Sequence, residues 1–495
     1  MKRKMLLNSS SGLFMQFAAI IVGLILPRFM ISTFGSNVNG LVNSITQFLS
    51  YITLFDAGIG GVVRAALYDP LSRNDKNKIN GILKASKNYF DKIALFFIVY
   101  VLALSILFPF AINQTFNVRF TAPLVLIIAI SIFAEYYIGI TYGFLLQADA
   151  RNYVINFIQG FSTIINAALV IVLIRSGSTI HVVKLVSSIV FAAKPFLLMV
   201  YVSKKYEGLS LKSVSPDFDA LTQRNNAFAH HVAWFLHTNT DIVVVTIFGS
   251  LASVSVYSVY YMVANSLTKV SIAISSGVEG FFGKRMVTSD ESVVRSDFKV
   301  LRMIMDSIVI VLFMTAGCLL MPFIVLYTKG ITDANYIEPV FGYFLLFAEG
   351  VYCLRLPYHN VITAAGHFKE TQKSAIIETC LNVVLSITLI RFFSLTGVAI
   401  ATLVAMLYRT IYDIYYMSHN LLKVSFWSDL VRVFATVAIC SLGVLFKNIF
   451  VNVPTNTIGT WVVQGIVCFV ISVVIALAYD LLFYRDELKK IKEIL

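Results

Sequence analysis

Apolar residues fill long windows of the chain, and short polar segments separate these windows. Windows of about 20 residues with almost no charged side chain recur along the whole sequence, and each is long enough to cross the ~30 Å hydrocarbon core of a bilayer. The pattern predicts about fourteen transmembrane helices, at roughly 8–33, 38–63, 89–110, 121–146, 152–174, 180–203, 226–248, 251–283, 300–327, 337–363, 370–390, 396–418, 427–449 and 457–483. The fold class that follows is an all-α polytopic membrane protein.

The composition agrees with this prediction. Of the 495 residues 58% are hydrophobic and only 13% are charged, whereas soluble proteins carry about 25% charged residues. The apolar run after Lys4 continues for about 26 residues, beyond the 7–15 of a signal peptide, so we expect it to be retained as the first helix. The five cysteines lie in apolar segments without CxxC spacing. They indicate neither a disulfide framework nor a metal site, and we expect no cofactor.

The net charge of +13 is unevenly distributed along the chain. With the amino terminus inside, about 28 of the Lys and Arg residues fall in inward segments and about five in outward loops, which is the positive-inside pattern. This pattern predicts that both termini lie in the cytoplasm, and it makes the basic charge an orientation signal rather than a sign of nucleic-acid binding. No loop reaches the ~50 residues of a separate domain, so we expect the function to reside within the bilayer.

An internal repeat divides the chain. Phe133-Ala134-Glu135 recurs as Phe347-Ala348-Glu349, and Asn166–Arg175 recurs as Asn382–Arg391 in the same register. The offsets lie near roughly 214–222 residues and span six predicted helices, so both copies keep the same orientation, and such parallel repeats place a substrate site at their interface. The repeat predicts an N-lobe at 1–210, a C-lobe at 211–425, and two further helices with a tail at 426–495.

Five cations within the predicted helices are candidate binding residues. A charge at bilayer depth costs roughly 2.5–3.5 kcal/mol on insertion scales, so such a residue faces a cavity or a partner. Lys194 and Arg409 occupy matching positions in the two repeats, near the middle of their helices. Arg355 and Lys269 lie nearer the cytoplasm, and Arg28 lies in the outer third. Either these cations pair with buried acids, or they bind an anionic cargo such as a diphosphate.

Acidic residues within the predicted helices form a second set of candidates. Glu135 and Glu349 are equivalent positions of the repeat, and we expect each to pair with a cation of its own lobe. The alternative is a coupling role, in which a carboxylate takes up and releases a proton or Na⁺. Asp56 lies beside several glycines, which favours a packing and gating role. Glu378 and Asp413 lie near cytoplasmic helix ends, where we expect solvated side chains.

The seventh predicted helix is unusually polar. His230, Trp234, His237 and Asp241 follow a 4-3-4 spacing, which places all four on one helix face. This face is predicted to line a cavity, where Trp234 can stack on a sugar ring and the histidines can titrate near neutral pH. Histidines that serve structure alone are the alternative. No recognised ligand set for a metal accompanies them.

Several motifs carry a family resemblance. They are Leu26-Pro27-Arg28, Phe55–Gly60, Asn239–Val244 and Ala364–Thr371. With six plus six plus two helices, the chain resembles the polysaccharide transporter family, the Wzx-type flippases for O-antigen and capsule repeat units. This family belongs to the MOP exporter superfamily, which also includes the MATE drug exporters and the lipid II flippase MurJ.

The resemblance implies a function. It implies a flippase of the bacterial cytoplasmic membrane that moves an undecaprenyl-diphosphate oligosaccharide from the inner to the outer leaflet by alternating access, for surface polysaccharide export. The lipid-linked oligosaccharide, membrane lipids and other polysaccharide-assembly proteins would be its partners. Coupling to H⁺ or Na⁺ is compatible with the family.

Two other functions compete with this one. A MATE-like cation-coupled drug or metabolite antiporter calls for a cavity dominated by carboxylates, and the drug exporters typically stop at twelve helices. A membrane glycan polymerase or ligase resembles proteins with a large outward loop, whereas no outward loop here exceeds about a dozen residues, a length that normally only connects elements. The sequence therefore favours a transporter over an enzyme.

Overall fold

The computed structural model describes residues 2–56, 58–112, 115–206, 208–211, 214–219, 225–276, 279–450 and 457–488. These residues are helical almost throughout, and no β-strand occurs among them. Many large apolar side chains on the helix surfaces are exposed, as expected for helices that contact lipid. The predicted all-α membrane fold class is confirmed.

The chain forms two compact units. The amino-terminal unit comprises Met1–Phe235 and Ser250–Ser255. Its helices are α1 (Lys2–Phe34), α2 (Ser36–Ser50), α3 (Ile59–Arg73), α4 (Lys76–Ala111), α5 (Val118–Ala134), α6 (Ile140–Ala148), α7 (Asn152–Arg175) and α8 (Ile180–Lys205).

The carboxyl-terminal unit comprises Leu236–Gly249 and Val256–Leu495. The helices from α9 onward are α9 (Asn225–Phe248), α10 (Leu251–Ser276), α11 (Glu279–Thr288), α12 (Glu291–Val309), α13 (Thr315–Tyr327), α14 (Pro339–Ala364), α15 (Phe368–Asn420), α16 (Phe426–Phe450) and α17 (Ile458–Phe483). The boundaries that the repeat predicts at 210 and 425 stay predictions.

Ten helical segments among the described residues are long and apolar enough to cross a membrane, and they include Val118–Ala148, which joins α5 and α6, and Glu291–Tyr327, which joins α12 and α13. The number is up to eleven if the bent pair α2–α3 is one span. The 53-residue α15 contains two of the predicted helices, because Ser394 has φ 51° and ψ −135° and interrupts the helical backbone there. This break agrees with the one predicted between 390 and 396. The total of about fourteen spans stays a prediction.

The second predicted helix, at 38–63, is wrong as a continuous helix. It consists of α2, a 3₁₀ turn at Tyr51–Asp56, and α3, and the two α-helices meet at an angle of 46°. Gly58, at φ +83°, takes a left-handed conformation that favours glycine and lets the chain change direction. Hydroxyl groups satisfy backbone carbonyls near the bend, since Tyr89 donates to Phe55 O at 2.8 Å.

Polar caps begin several of the helices. Asp75 accepts a hydrogen bond from the backbone N–H of Lys78 at the start of α4, and Asn117 accepts one from Phe120 at the start of α5. Such side chains satisfy backbone donors that the first helical turn leaves without partners. The caps therefore mark where helices emerge from the apolar phase.

Close packing fixes the core of the amino-terminal unit. Leu41, Ile45 and Leu83 are fully buried there. Gly40 lies so close to Leu251 that a Cβ at position 40 would stand 1.8 Å from the Leu251 carbonyl oxygen. Glycine is therefore required at position 40, because any side chain would displace backbone.

Buried polar contacts join α16 and α17 to the rest of the carboxyl-terminal unit. Arg302 on α12 forms an ion pair with Asp429 on α16, and it donates a hydrogen bond to the hydroxyl of Tyr484 at 3.0 Å. Ser307 donates to Asp480 on α17 at 2.7 Å. The two last helices are thus held by charge and hydrogen bonding as well as by apolar contact.

Candidate functional site

A charged pair lies on a cavity in the amino-terminal unit. The Nζ atom of Lys194 is 3.2 Å from Oε2 of Glu135, which confirms the predicted pairing in this half of the chain. The cavity measures about 300 Å³, and Lys194 and Glu135 line it. Their side chains are 18% and 34% exposed, so both charges can reach a molecule in the cavity. Hydroxyl and amide groups of Ser50, Thr53 and Gln159 also line it.

The backbone is irregular on both sides of this pair. Glu135 begins a single π-helical turn that ends at Gly139, and such turns occur frequently at functional sites. Lys194 precedes Pro195, which cannot donate the hydrogen bond that a helix interior normally makes. A Cβ at Gly139 would lie 2.8 Å from the Cβ of Pro195, so the two irregular segments are in close contact. The sequence indicated the charges but not the π turn.

Asp56 lies near this cavity through a shared tyrosine. The hydroxyl of Tyr136 donates a hydrogen bond to Oδ2 of Asp56 at 2.9 Å, and Tyr136 is itself part of the cavity wall. Asp56 ends the 3₁₀ turn that precedes the bend at Gly58. The hydrogen bond therefore ties the bend of α2–α3 to the π turn after α5.

In the carboxyl-terminal unit, the two candidate arginines pair with buried carboxylates. Arg355 donates to Oε1 of Glu378 at 2.8 Å, and Nε of Arg409 lies 3.9 Å from the other oxygen of Glu378. The same Nε lies 3.1 Å from Oδ1 of Asp413, and Arg409 also donates to Ser374 at 2.7 Å. Two arginines and two carboxylates thus form a buried network whose four formal charges sum to zero, and Nδ1 of His359 lies 3.9 Å from Oδ2 of Asp413.

This network corrects one expectation from the sequence. The prediction that Glu378 and Asp413 are solvated is wrong, because their side chains are only 8% and 0% exposed. Arginines on α14 and α15 offset their burial cost. Glu349, predicted to pair with a cation, accepts a hydrogen bond from Thr268 at 2.8 Å and forms no ion pair with the described residues. Glu135 and Glu349 are therefore equivalent in the sequence repeat, but the first pairs with a lysine and the second with a threonine hydroxyl.

Asp241 occupies an oxygen-rich environment. Its Oδ2 atom accepts hydrogen bonds from the hydroxyls of Tyr257 and Thr402, both at 2.9 Å. Asn382 donates to the same Thr402 hydroxyl at 3.1 Å. Asp241 is buried, with 5% of its surface exposed. A carboxylate surrounded by hydroxyl and amide groups is the kind of site that can hold a proton or a small hard cation.

The remaining predicted residues lie on α1, α9 and α10. Arg28 on α1 is half-buried, and Lys269 on α10 is exposed. The side chains of His230, Trp234 and His237 lie outside the described residues, so the predicted cavity-lining face of the seventh helix stays a prediction. Within the described part of the chain, no group of three or more His, Cys, Asp or Glu side chains is arranged to hold a metal ion.

A second, larger cavity lies in the carboxyl-terminal unit. It measures about 930 Å³ and lies among the π turn before α13, α13, α16 and α17. Its wall is almost entirely apolar, with side chains such as Leu442, Phe446, Val463 and Val467. Lys447 and Gln464 are the polar exceptions with long side chains. Sequence reasoning missed this cavity, because its residues look like any lipid-facing helix surface.

Comparison with known proteins defines the fold. No family model matches the chain, and no curated protein matches it. Solved structures of membrane transporters do match: an inward-facing multidrug resistance MATE family transporter of the MOP superfamily gives a TM-score of 0.63 at 13% identity, over 87% of this chain and 98% of that chain. The MATE transporter VcmN of Vibrio cholerae in its bent form gives a TM-score of 0.54 at 12% identity, over 90% of this chain and 100% of that chain.

A lipid flippase shares the fold over almost the whole length. The lipid II flippase MurJ in an inward closed conformation gives a TM-score of 0.72 at 16% identity, over 97% of this chain and 99% of that chain. At such identities the likeness establishes the fold alone. The protein is a multi-pass membrane protein with a MurJ- and MATE-like fold.

Proposed function

We propose that the protein is a flippase that moves an oligosaccharide on undecaprenyl diphosphate from the inner to the outer leaflet of the bacterial cytoplasmic membrane. The observation that carries the proposal is the likeness in fold to a lipid II flippase over 97% of the chain. The MATE structures cover 87–90% of the chain. The full-length likeness therefore favours a lipid-linked cargo over a soluble drug.

Each unit contains a cavity whose chemistry matches one part of such a cargo. A lipid-linked oligosaccharide combines a charged diphosphate and sugars with a long hydrocarbon tail. The cavity at Lys194 offers one cation with hydroxyl and amide groups, and the cavity at α16 and α17 offers an apolar surface of about 930 Å³. An undecaprenyl tail comes from lipid, so this apolar wall offers it contacts similar to those of the acyl chains that it leaves. The protein therefore holds both chemistries that the cargo requires.

Lys194 is the cation best placed to contact the diphosphate. Its side chain is partly exposed at the cavity, and its ammonium group pairs with the carboxylate of Glu135. The ammonium group can therefore turn from Glu135 to a phosphate oxygen. Arg409, its repeat equivalent, is 4% exposed and held by Glu378 and Asp413. In this proposal Lys194 binds the cargo, whereas Arg409 and Arg355 stabilise the carboxyl-terminal unit.

Asp241 supports a coupling step. Its carboxylate is buried among the hydroxyls of Tyr257 and Thr402, where a proton or Na⁺ can neutralise it. Binding of the ion and binding of cargo would then favour different states of an alternating-access cycle. In this proposal both termini lie in the cytoplasm, the chemistry is transport rather than catalysis, and polysaccharide-assembly proteins supply and receive the cargo.

The test is transport by the purified full chain in liposomes. A fluorescent undecaprenyl-diphosphate oligosaccharide is placed in the membrane, and its appearance in the outer leaflet is followed with an impermeant quencher under imposed H⁺ or Na⁺ gradients. We expect acceleration over empty liposomes, and a loss of at least about tenfold in Lys194→Gln, because one charge-assisted contact is removed. Lys92→Gln, which removes an exposed charge on α4, is the matched control. Equal rates with and without protein would refute the flippase.

A cation-coupled antiporter is the second candidate. The likeness to MATE transporters and the acidic groups Asp56, Asp241 and Glu349 favour it. Efflux of a fluorescent cationic dye from the same liposomes separates the two functions. Dye efflux without lipid translocation would replace the flippase proposal with the antiporter.

A further inference from the structure

A third cavity lies at the ends of several helices of the amino-terminal unit, away from the pair at Lys194. It measures about 350 Å³ and is bounded by the end of α3, the start of α4, the turn at 149–151, the end of α8 and residues 206, 208 and 209. Lys76 is the first residue of one candidate membrane span, and Lys205 is the last residue of another. The cavity therefore lies at the polar ends of these two helices.

Its charged residues are mainly basic. Lys76, Arg151 and Lys205 line it, and they come from three separate elements. The acidic residue among the lining side chains is Asp149. Lys4 bonds to Asp149 at 2.9 Å, Tyr206 donates to it at 2.6 Å, and Arg151 also pairs with it.

The carboxylate of Asp149 is therefore already bound by Lys4, Tyr206 and Arg151. Burial alone would raise the pKa of Asp149, but hydrogen bonds from Tyr206, Arg151 and Lys4 outweigh that effect and hold the pKa below its ordinary value. Neither Lys76 nor Lys205 has a carboxylate partner among the residues that the structure describes. The described side chains that line the cavity, Lys76, Arg151, Lys205 and Asp149, therefore carry a net positive charge.

The walls of the cavity are held in place. Asn80 is buried, donates to the carbonyl of Gly208 at 3.1 Å and accepts from the backbone N–H of Ser210 at 3.3 Å. Gly208 has φ +80°, and a Cβ there would lie 3.3 Å from Cδ of Lys76. The segment after α8 therefore passes directly over the stem of Lys76, which limits the positions that its ammonium group can take.

We propose that this cavity, which we name the basic end pocket and define by Lys76, Arg151 and Lys205, binds a phosphate group. Phosphate offers several acceptor oxygens to ammonium and guanidinium donors from different directions, which matches cations supplied by three elements. The site is independent of the proposed function, because it shares no lining residue with the cavity at Lys194. The phosphate belongs either to a lipid headgroup at the bilayer surface or to a soluble molecule.

The experiment compares two double variants that lose the same charge. Lys76→Gln/Lys205→Gln removes the two lysine ammonium groups that line the pocket. Lys78→Gln/Lys204→Gln removes two exposed lysines that are near neighbours in sequence but do not line it. All four side chains are exposed, so neither double variant removes a buried contact.

Two probes distinguish the sources of the phosphate. Inorganic pyrophosphate is titrated calorimetrically against the full chain in detergent, and the thermal unfolding midpoint is measured in phosphatidylcholine nanodiscs with and without phosphatidylglycerol. In calorimetry, we expect the pocket variant to lose at least about tenfold in affinity for pyrophosphate, while the control variant stays within about twofold of the natural chain. In nanodiscs, we expect the pocket variant to lose the rise in unfolding midpoint that phosphatidylglycerol causes, while the control variant keeps it. Binding of pyrophosphate alone identifies a soluble ligand, and stabilisation by phosphatidylglycerol alone identifies a lipid headgroup. Equal losses in both double variants, or no response to either probe, would overturn the proposal.

Discussion

The two cations that the repeat aligns should respond differently to the same substitution. Arg409→Gln removes a charge from a buried network, whereas Lys194→Gln removes one from the wall of a cavity. The sequence alone gives no reason for a difference, since both residues lie near the middle of apolar helices. The structure predicts that the first substitution lowers stability and that the second lowers transport.

The expected magnitudes follow from exposure. Arg409 and Asp413 have 4% and 0% of their side chains exposed, and removal of one member of a buried ion pair costs roughly 3–5 kcal/mol. Lys194 and Glu135 have 18% and 34% exposed, and partly solvated pairs are worth roughly 0–1 kcal/mol. The two variants should therefore differ by at least about 2 kcal/mol in the free energy of unfolding, a factor of about 30 in the ratio of folded to unfolded protein.

Unfolding of the full chain in mixed micelles measures this difference. Sodium dodecyl sulfate is titrated into the micelles, and loss of tertiary structure is followed by near-ultraviolet circular dichroism. Lys373→Gln, which removes an exposed charge from the same helix as Arg409, is the control and should change the free energy by less than about 0.5 kcal/mol. Equal destabilisation by Arg409→Gln and Lys194→Gln would refute the distinction between a closed network and an accessible pair.

Three further substitutions test other contacts of the structure. Asp149→Asn should lower the free energy of unfolding by roughly 1–3 kcal/mol at neutral pH. Because the pKa of Asp149 in the folded chain is lowered from 3.8, the natural chain should lose this contribution as the pH falls below about 4. Acid titration of the unfolding midpoint should show that loss in the natural chain and not in the variant. Gly40→Ala should lower the free energy of unfolding by roughly 1–3 kcal/mol, while Gly23→Ala, where no atom lies within 4 Å of the added Cβ, should not. Asp429→Asn leaves Arg302 buried without its carboxylate and should cost roughly 3–5 kcal/mol in the same detergent titration.

Helix positions could be predicted well from the hydrophobic pattern. The predicted helices at 152–174 and 180–203 correspond to Asn152–Arg175 and Ile180–Lys205, and the one at 337–363 corresponds to Pro339–Ala364. Long apolar windows specify such helices because a backbone in lipid must satisfy its own hydrogen bonds. The bend at Gly58 could not be predicted with the same ease, since glycine is common in membrane helices and only its φ of +83° reveals the break.

The site was predicted in part. Costly charges in apolar windows led directly to Lys194, Glu135 and Arg409, because bilayer depth makes any charge conspicuous. Which charges meet depends on helix rotation and packing, and one sequence does not contain that information. Glu378 and Asp413 looked like helix-end residues, yet arginines from neighbouring turns and an adjacent helix surround them. The basic end pocket was hidden for the same reason, since its lysines lie among many others at helix ends.

The neutral network of Arg355, Arg409, Glu378 and Asp413 has an electrical consequence. Moving one elementary charge through 100 mV of membrane potential changes the free energy by about 2.3 kcal/mol. A cluster whose formal charges sum to zero contributes no gating charge when its unit moves, so the carboxyl-terminal half can reorient without voltage-dependent work from these residues. Voltage dependence of turnover would then come from other charges, such as those of the cargo, the coupling ion or the pair at Lys194.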